Sequence, residues 1–251
     1  MRRIISRIGE IGYNNRGSKM KIVDMKHSKD VLVEFQDEHK AKVKTNYSNF
    51  CKGNVKNPFD KTVFNVGYIG IGKYSYITHV NIYVTWSLML RRCYEEKTLE
   101  TRPTYINCSV CEQWHNFQNF AQWYETNYYN VYDEAMVLDK DILIKGNKIY
   151  SPETCVFVPN RINILFTNRR LHRGNLPVGC SVHDGKIEVR CSTDKGRKFL
   201  GYFKLDQVKE AFETYKEFKE KYIKEVAEEY KEHIPIKLYE AMINYKIDIN
   251  D

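Results

Sequence analysis

Two cysteines in the middle of the chain have the spacing of a metal-binding pair. Cys108 and Cys111 enclose two residues, as zinc-ligating pairs often do, and Cys93 and Cys155 are the residues that would complete a four-thiolate set. A single pair of this kind leaves two ligands undetermined, and buried thiols are common in protein cores. The spacing therefore favours buried cysteines over a zinc site.

A glycine-rich segment, residues 67–74, has the composition of a phosphate-binding loop. It reads GYIGIGKY and lacks both the GxGxxG and the GxxxxGK[ST] spacing that bring backbone amides around a phosphate. No clear strand-to-helix pattern surrounds it. The segment is therefore predicted to be a structural turn.

Basic residues near the C-terminus fall on one predicted sheet face. Three short β-rich runs between residues 178 and 203 are separated by turns that contain Asp-Gly and Lys-Gly hairpin signals. A long amphipathic helix follows, and it can cover only one face of such a sheet. The other face carries four basic side chains: Lys186, Arg190, Arg197 and Lys198. Because the major groove is wide enough for strands, this face is predicted to bind double-stranded DNA.

Four features of this region match a known kind of domain. They are the pair Val178-Gly179, the run KIEVR at 186–190, the run GRKFLGYF at 196–203, and the Ala211…Tyr215 spacing in the helix. With them the region resembles the APETALA2-type DNA-binding domain of plant transcription factors and phage homing endonucleases. The resemblance implies binding of duplex DNA through the sheet, with Arg190 and Arg197 as base or phosphate contacts.

A second resemblance involves the middle of the chain. The run LDKD at 138–141 is followed by GNKIYSPETC at 146–155, and the segments Trp86…Arg92-Cys93-Tyr94 and VCEQW at 110–114 agree with the same group. This pattern is similar to the metal-binding hairpin of HNH (ββα-metal) endonucleases, in particular to a phage-encoded group. The two resemblances together cover residues 60–250.

The HNH resemblance implies a divalent-metal site with catalytic residues. Asp139 stands where the metal-binding aspartate belongs, Asn147 in the asparagine-bearing loop, and Lys140 at the place of the general-base histidine. Thr154 stands at the place of the last metal-ligand asparagine. Mg²⁺ or Mn²⁺ would be held by oxygen donors from three carboxylates: Asp139, Asp141 and Glu153.

Lys140 and Thr154 depart from the family pattern at the positions of the general base and of the last metal ligand. A lysine of ordinary pKa, about 10.4, is protonated at neutral pH and is a poor base. Two interpretations therefore stay open: an HNH-like, homing-type nuclease with an impaired site, or a binding protein on a retired nuclease scaffold. In the second, Lys140, Lys145 and Lys148 would contact phosphates. His115 or His172 could act as the base only if the fold brings it to the aspartate.

The overall composition suits a polyanion partner and a reducing compartment. The 251 residues include 40 Lys and Arg against 32 Asp and Glu, a formal net charge of +8. No apolar run reaches the length of about 18 residues that a membrane span needs, and the basic N-terminus lacks the apolar stretch of a signal peptide. The seven scattered cysteines show no disulfide framework. We expect a cytoplasmic protein without membrane contact, in a bacterial host if the chain is phage-encoded.

These patterns predict an α+β protein of three parts. Residues 1–60 would form a small β-rich domain, and residues 61–173 a central, degenerate HNH-like domain that ends in a basic linker. Residues 174–251 would form the APETALA2-like domain, a three-stranded sheet plus a helix. In the central part, apolar stripes predict two helices, one containing Trp86 to Tyr94 and one that begins after an Asn116 cap.

Two function classes follow from these expectations. The first is binding of double-stranded DNA, with Mg²⁺-dependent nicking if the hairpin is catalytic. The second is a phage regulator or host-interaction protein that inherited the scaffold and binds a host or phage protein. Salt dependence separates them, because binding to several phosphates weakens steeply with salt and an apolar protein interface need not.

Overall fold

A computed structural model describes residues 7–167 and 176–251 of the chain. The chain divides into two compact units, residues 1–125 and residues 126–251. The predicted boundaries at residues 60 and 173 do not coincide with this division. The predicted basic linker, including His172, lies outside the described residues.

The first unit begins with a four-stranded antiparallel sheet, which confirms the predicted N-terminal β-rich part. The strands, in their order across the sheet, are β1 (Ile11–Tyr13), β2 (Lys19–His27), β3 (Asp30–Phe35) and β4 (Lys42–Thr45). Helix α1 (Tyr47–Cys51) follows them. Alternate residues of the sheet and one residue of α1 share a core: Met20, Ile22, Val31, Val33, Phe35 and Phe50.

The remainder of the first unit is mainly helical. The two long helices are α2 (Val80–Tyr94) and α4 (Phe117–Asn127). The side chain of Asn116 accepts a hydrogen bond from the backbone N–H of Gln118 at 3.0 Å, as expected of the predicted N-cap. The predicted stripes are buried at Trp86, Met89, Leu90, Cys93, Phe117, Phe120 and Ala121. The shorter elements are α3 (Glu96–Thr101), β5 (Ser109–Val110) and 3₁₀ turns at Pro103–Tyr105 and Glu112–His115.

The glycine-rich segment packs its backbone directly against side chains of the first unit. A Cβ atom placed on Gly67 would lie 2.5 Å from a methyl carbon of Leu90, and one placed on Gly72 would lie 2.2 Å from the amide oxygen of Gln118. Only glycine permits so close an approach. The segment is a packed turn, as predicted.

The second unit starts with a strand–loop–strand–helix arrangement. Strand β6 (Met136–Asp139) pairs antiparallel with β8 (Val156–Pro159), helix α5 (Asn160–Leu165) follows at once, and β7 (Ile149–Tyr150) lies in the connecting loop.

The unit continues with the predicted three-stranded antiparallel sheet. Strands β9 (Cys180–His183), β10 (Lys186–Thr193) and β11 (Gly196–Phe203) lie in the order β11-β10-β9. Helix α6 (Val208–Tyr230) packs on one face of this sheet, and α7 (Ile236–Ile243) follows Pro235. The predicted three-stranded sheet packed against a long helix is confirmed.

Helix α6 supports both parts of the second unit. Its first half, with Phe212 and Tyr215, packs on the sheet. Its second half, with Ile223 and Tyr230, packs in a cluster that also contains residues of β8, α5 and α7. One helix thus joins the hairpin and the sheet into one body. Within the two described ranges, the helices lack the length and apolarity needed to cross a membrane.

Candidate nucleic-acid interface

The face of the C-terminal sheet opposite α6 is defined by the strand register. On β10, Ile187, Val189 and Cys191 are buried against the helix, so the intervening residues face the other way. The partners of those residues on β9 and β11 share their side of the sheet. We call this surface the open face. It carries Ser181, His183, Lys186, Glu188, Arg190, Ser192, Arg197, Phe199 and Tyr202.

A register shift in β11 brings two aromatic rings together on the open face. Val189 pairs with Gly201, but Arg190 pairs with Phe199, so Leu200 has no partner and forms a bulge. The bulge puts Phe199 and Tyr202, three residues apart, on the same side. Their ring centroids lie 5.0 Å apart, and both side chains are exposed.

Arg190 is held in a fixed orientation at the centre of the open face. Its Nε and Nη2 donate to the two carboxylate oxygens of Glu188, each at 2.8 Å, and its guanidinium lies over the ring of Phe199. The hydroxyl of Tyr202 donates to the same carboxylate at 3.1 Å. The hydrogen bond from Arg190 lowers the pKa of Glu188, so the pair stays ionised. Three N–H donors of Arg190 remain for an outside acceptor.

The residue that orients the arginine, Glu188, was missed by the sequence reasoning. Its side chain is buried, although it lies on the open face. The two-residue alternation of β10 contains the signal, because it places Glu188 between Lys186 and Arg190 on one side. An acidic residue between two basic ones predicts an ion pair along the strand.

The turn between β10 and β11 is anchored to two helices. The carboxylate of Asp194 forms an ion pair with Arg161 of α5 at 2.9 Å. It also accepts a hydrogen bond from the hydroxyl of Tyr222 of α6. Arg161 in turn binds Glu229 of α6 at 2.8 Å. These contacts restrain the hairpin that carries Arg197, so the open face keeps its shape without a bound partner.

Three of the four predicted DNA-binding residues of the sheet share the open face. Lys186, Arg190 and Arg197 lie on it and are exposed. Lys198 pairs with Cys191, which is buried against α6, so its side chain starts on the helix side of the sheet. There it lines a surface pocket with Tyr222.

Charge in the C-terminal part is distributed unevenly between sheet and helices. Residues 176–204, which form the sheet, contain six Lys and Arg against three Asp and Glu. Residues 205–251, which include α6 and α7, contain eight against twelve. A polyanion is therefore attracted to the sheet side and repelled by the helix side.

The loop after β6 contains the residues implied to be catalytic. Asp139 Oδ1 accepts the backbone N–H groups of Asp141 and Ile142 at 2.8 Å each. These bonds turn the chain, so strand β6 ends at Asp139. Burial, reinforced by the nearby Asp141 carboxylate, raises the pKa of Asp139 to about 6.

Lys140 and Asn147 close this loop internally. The Lys140 ammonium is buried and donates to Asp141 Oδ2 at 2.9 Å and to the carbonyl of Asn147 at 3.1 Å. The Asn147 amide donates to the carbonyls of Lys140 and Ile149 at 2.7 Å each. Lys140 thus serves as a cross-link between the two ends of the loop, and its nitrogen is a donor in both bonds.

The remaining residues implied by the hairpin occupy separate positions. Thr154 donates to the carbonyl of Ile149 at 2.7 Å, while a hydrogen bond from Ser151 lowers the pKa of Glu153. Lys145 binds the carbonyl of Lys246 at 2.9 Å and the carboxylate of Asp251 at 2.6 Å. Lys148 is exposed.

The oxygen donors near Asp139 do not fit a divalent cation as they are arranged. One oxygen of Asp139 is occupied by two backbone donors, and the Asp141 carboxylate binds an ammonium group. Among residues 7–167 and 176–251 there is no group of three or more His, Cys, Asp or Glu side chains that could hold a metal ion.

The cysteines implied in a zinc set lie in different surroundings. Cys93 and Cys108 are buried in the first unit, Cys111 is half-buried there, and Cys155 is buried in the second unit. His115, a candidate base, uses Nε2 in a contact of 3.1 Å with the carbonyl of Val110 in the first unit.

In comparisons with known proteins, the chain matches no protein-family model, no curated protein and no solved structure.

The raised pKa of Asp139 predicts a pH-dependent stability that one substitution removes. A folded-state pKa of about 6 against an ordinary 3.8 means that folding favours the protonated acid. Its contribution to the free energy of unfolding is present below pH 4, is lost as the pH rises to 6, and is absent above. Asp139→Asn keeps the acceptor oxygen without the charge, so we expect it to stabilise the second unit at neutral pH by about 2 kcal/mol.

Hydrogen exchange of residues 136–159 in EDTA, at pH 4 and at pH 7, measures this difference. Asp206→Asn, a charge removal in an exposed turn, is the matched control. A gain from Asp139→Asn that is the same at both pH values would contradict the assignment.

Proposed function

We propose that this chain binds double-stranded DNA through the open face of its C-terminal sheet. The observation that carries the proposal is the guanidinium of Arg190, which two bonds to the Glu188 carboxylate hold in one orientation. Lys186 and Arg197 lie on the same exposed surface. A guanidinium held side-on by a carboxylate presents its other N–H groups outwards, in the geometry that reads the O6 and N7 atoms of guanine. Because the guanidinium is oriented before binding, less side-chain entropy is lost on contact.

Two further features support the proposal. The uneven charge of sheet and helices would orient the C-terminal part on a polyanion with the open face inwards. The resemblance to the APETALA2-type domain implies the same face and two of the same residues, Arg190 and Arg197. Such a protein would act in the cytoplasm of a bacterial host if the chain is phage-encoded.

The salt dependence of DNA binding tests this proposal directly. Fluorescence anisotropy with a labelled duplex, between about 50 and 200 mM salt, should show a linear fall of the logarithm of affinity with the logarithm of salt. Three contacts to phosphates would give a slope of about −3. Binding without a salt dependence, or none at low salt, would overturn the proposal and favour a protein partner.

DNA cleavage stays a prediction from the HNH resemblance. Incubation of supercoiled DNA with Mg²⁺ or Mn²⁺, against EDTA, measures it as nicked or linear product. Metal-dependent product that disappears in Asp139→Asn would make the hairpin catalytic. Retention of uncut DNA would leave a binding protein on a nuclease-like scaffold.

A further inference from the structure

The first unit contains a cavity of about 840 Å³ whose lining combines aromatic, basic and amide side chains. Its lining includes residues 14–16 and 53–58 and, from later in the chain, Ile69, Tyr76 and Tyr83. None of these residues belongs to the open face. The volume lies within the range of about 300–1,000 Å³ that small-molecule sites occupy.

One wall of the cavity is aromatic. The ring centroids of Tyr76 and Tyr83 lie 5.8 Å apart, and Tyr83 is held in place by Trp86 and Phe117 at 5.8 and 5.7 Å. The ring of Tyr76 is 46% exposed and therefore accessible to a ligand. A supported tyrosine beside an exposed one offers a flat base a surface on which to stack.

Two exposed basic residues form part of the cavity rim. Arg16 and Lys56 line the cavity and are exposed, and within the described part of the chain neither side chain makes an ion pair. The acidic residue of the lining, Asp60, already accepts hydrogen bonds from Asn14, at 2.7 Å, and from Ser18. The rim therefore presents positive charge to an incoming ligand.

Two amide side chains of the lining are hydrogen-bonded to each other. Asn15 donates to the side-chain oxygen of Asn54 at 2.8 Å, which leaves the oxygen of Asn15 and both N–H groups of the Asn54 amide for a ligand. Gly53 lets the two loops meet, because a Cβ atom there would lie 2.6 Å from the Asn15 oxygen. A donor beside an acceptor matches the hydrogen-bonding edge of a nucleobase.

The charge of the surrounding sequence favours an anionic ligand. Residues 1–60 contain 13 Lys and Arg against 7 Asp and Glu, a net +6 in a chain whose total is +8. Most of the excess positive charge therefore lies in the N-terminal part, outside the C-terminal sheet. Such an excess attracts phosphate groups.

We propose that this cavity binds an unpaired nucleotide of a single-stranded nucleic acid. The base stacks on the exposed ring of Tyr76, which Tyr83 supports at an interplanar angle of 51°, and meets the Asn15–Asn54 pair, while the adjoining phosphates contact Arg16 and Lys56. Single-strand binding proteins combine a basic groove with stacking rings in the same way. The site is independent of the duplex-binding face proposed above.

Binding of a labelled single-stranded thymidine oligomer to the 251-residue chain tests the proposal. We expect the double variant Arg16→Ala, Lys56→Ala and the single variant Tyr76→Ala each to lower the affinity by about tenfold or more. The matched controls are Lys26→Ala with Lys29→Ala and Tyr13→Ala, which alter exposed residues of the same unit outside the cavity. Equal affinities of cavity and control variants would overturn the site.

A photocross-link locates the contact even if a variant folds poorly. An oligomer carrying 5-iododeoxyuridine should cross-link to Tyr76 or Tyr83 in the unmodified protein, and cross-links confined to other peptides would overturn the assignment.

Free thymidine monophosphate that displaces the oligomer completely would assign the cavity to a nucleotide and not to a strand. A protein with Arg190 and Arg197 replaced by alanine should still bind the single strand, which separates failure of this site from failure of the open face.

Discussion

Simultaneous replacement of Arg190 and Arg197 by alanine is expected to weaken binding to duplex DNA by on the order of 10²–10³-fold. Each arginine contributes donors to the same exposed surface. Loss of Arg190 has a second effect, because the Glu188 carboxylate would then face the phosphates without its partner. Fluorescence anisotropy with labelled duplex, repeated over a range of salt, measures both the affinity and the slope.

The salt slope distinguishes this loss from a general weakening. Removal of a residue that contacts a phosphate should reduce the magnitude of the slope of log affinity against log salt by about one. A purely structural defect lowers the amount of competent protein and leaves this slope unchanged. Lys209→Ala with Lys224→Ala is the matched control, because it removes two exposed positive charges from α6. An equal loss in this control would mean that total charge, and not the open face, determines binding.

Gly179→Ala is expected to destabilise the second unit by about 3 kcal/mol. Gly179 precedes β9 and has a φ of +82°, a left-handed conformation that costs an alanine about 1–2 kcal/mol. A Cβ atom at this position would also lie 2.0 Å from a ring carbon of Tyr215 on α6. The sheet and helix would have to separate, and overpacking of this kind costs about 1–3 kcal/mol.

Two variants separate the conformational cost from the collision. Gly185 has a φ of +72° and open space around it, so Gly185→Ala should cost only about 1 kcal/mol. Combination of Gly179→Ala with Tyr215→Ala should cost less than the sum of the single changes, because the collision disappears. Additive costs would contradict the packing described here.

The readout of these stability changes can be assigned to one unit. All three tryptophans, Trp86, Trp114 and Trp123, lie within residues 1–125. Tryptophan fluorescence should therefore report unfolding of the first unit and stay unchanged by Gly179→Ala, whereas hydrogen exchange of residues 180–203 should accelerate. A shift in the tryptophan signal alone would show that the substitution acts elsewhere.

The sequence by itself determined the local features of this protein. Apolar residues at helical spacing predicted α2 and α4, and turn residues at 183–186 and 193–196 predicted the C-terminal hairpins, because each of these signals depends on neighbours within a few residues. The same local information placed Lys186, Arg190, Arg197 and Lys198 on one surface, and the strand register agrees for the first three of them.

The pairing of distant residues was decided only by the tertiary structure. Strict alternation along β11 would place Phe199 and Tyr202 on opposite sides, and the bulge at Leu200 puts them together. The ion pair between Arg161 and Asp194 depends on how α5 meets a turn 33 residues further along the chain.

The same distinction explains the division of the chain and the loop after β6. A boundary at 173 followed from a basic segment, yet α6 packs with β8 as well as with the sheet and joins both in one unit. Lys140 matched the position of a catalytic base in sequence, and the folded loop uses it as a buried donor to Asp141 and Asn147. Residue type and spacing specify which groups are present, but burial and hydrogen-bond partners arise from segments that meet only when the chain has folded.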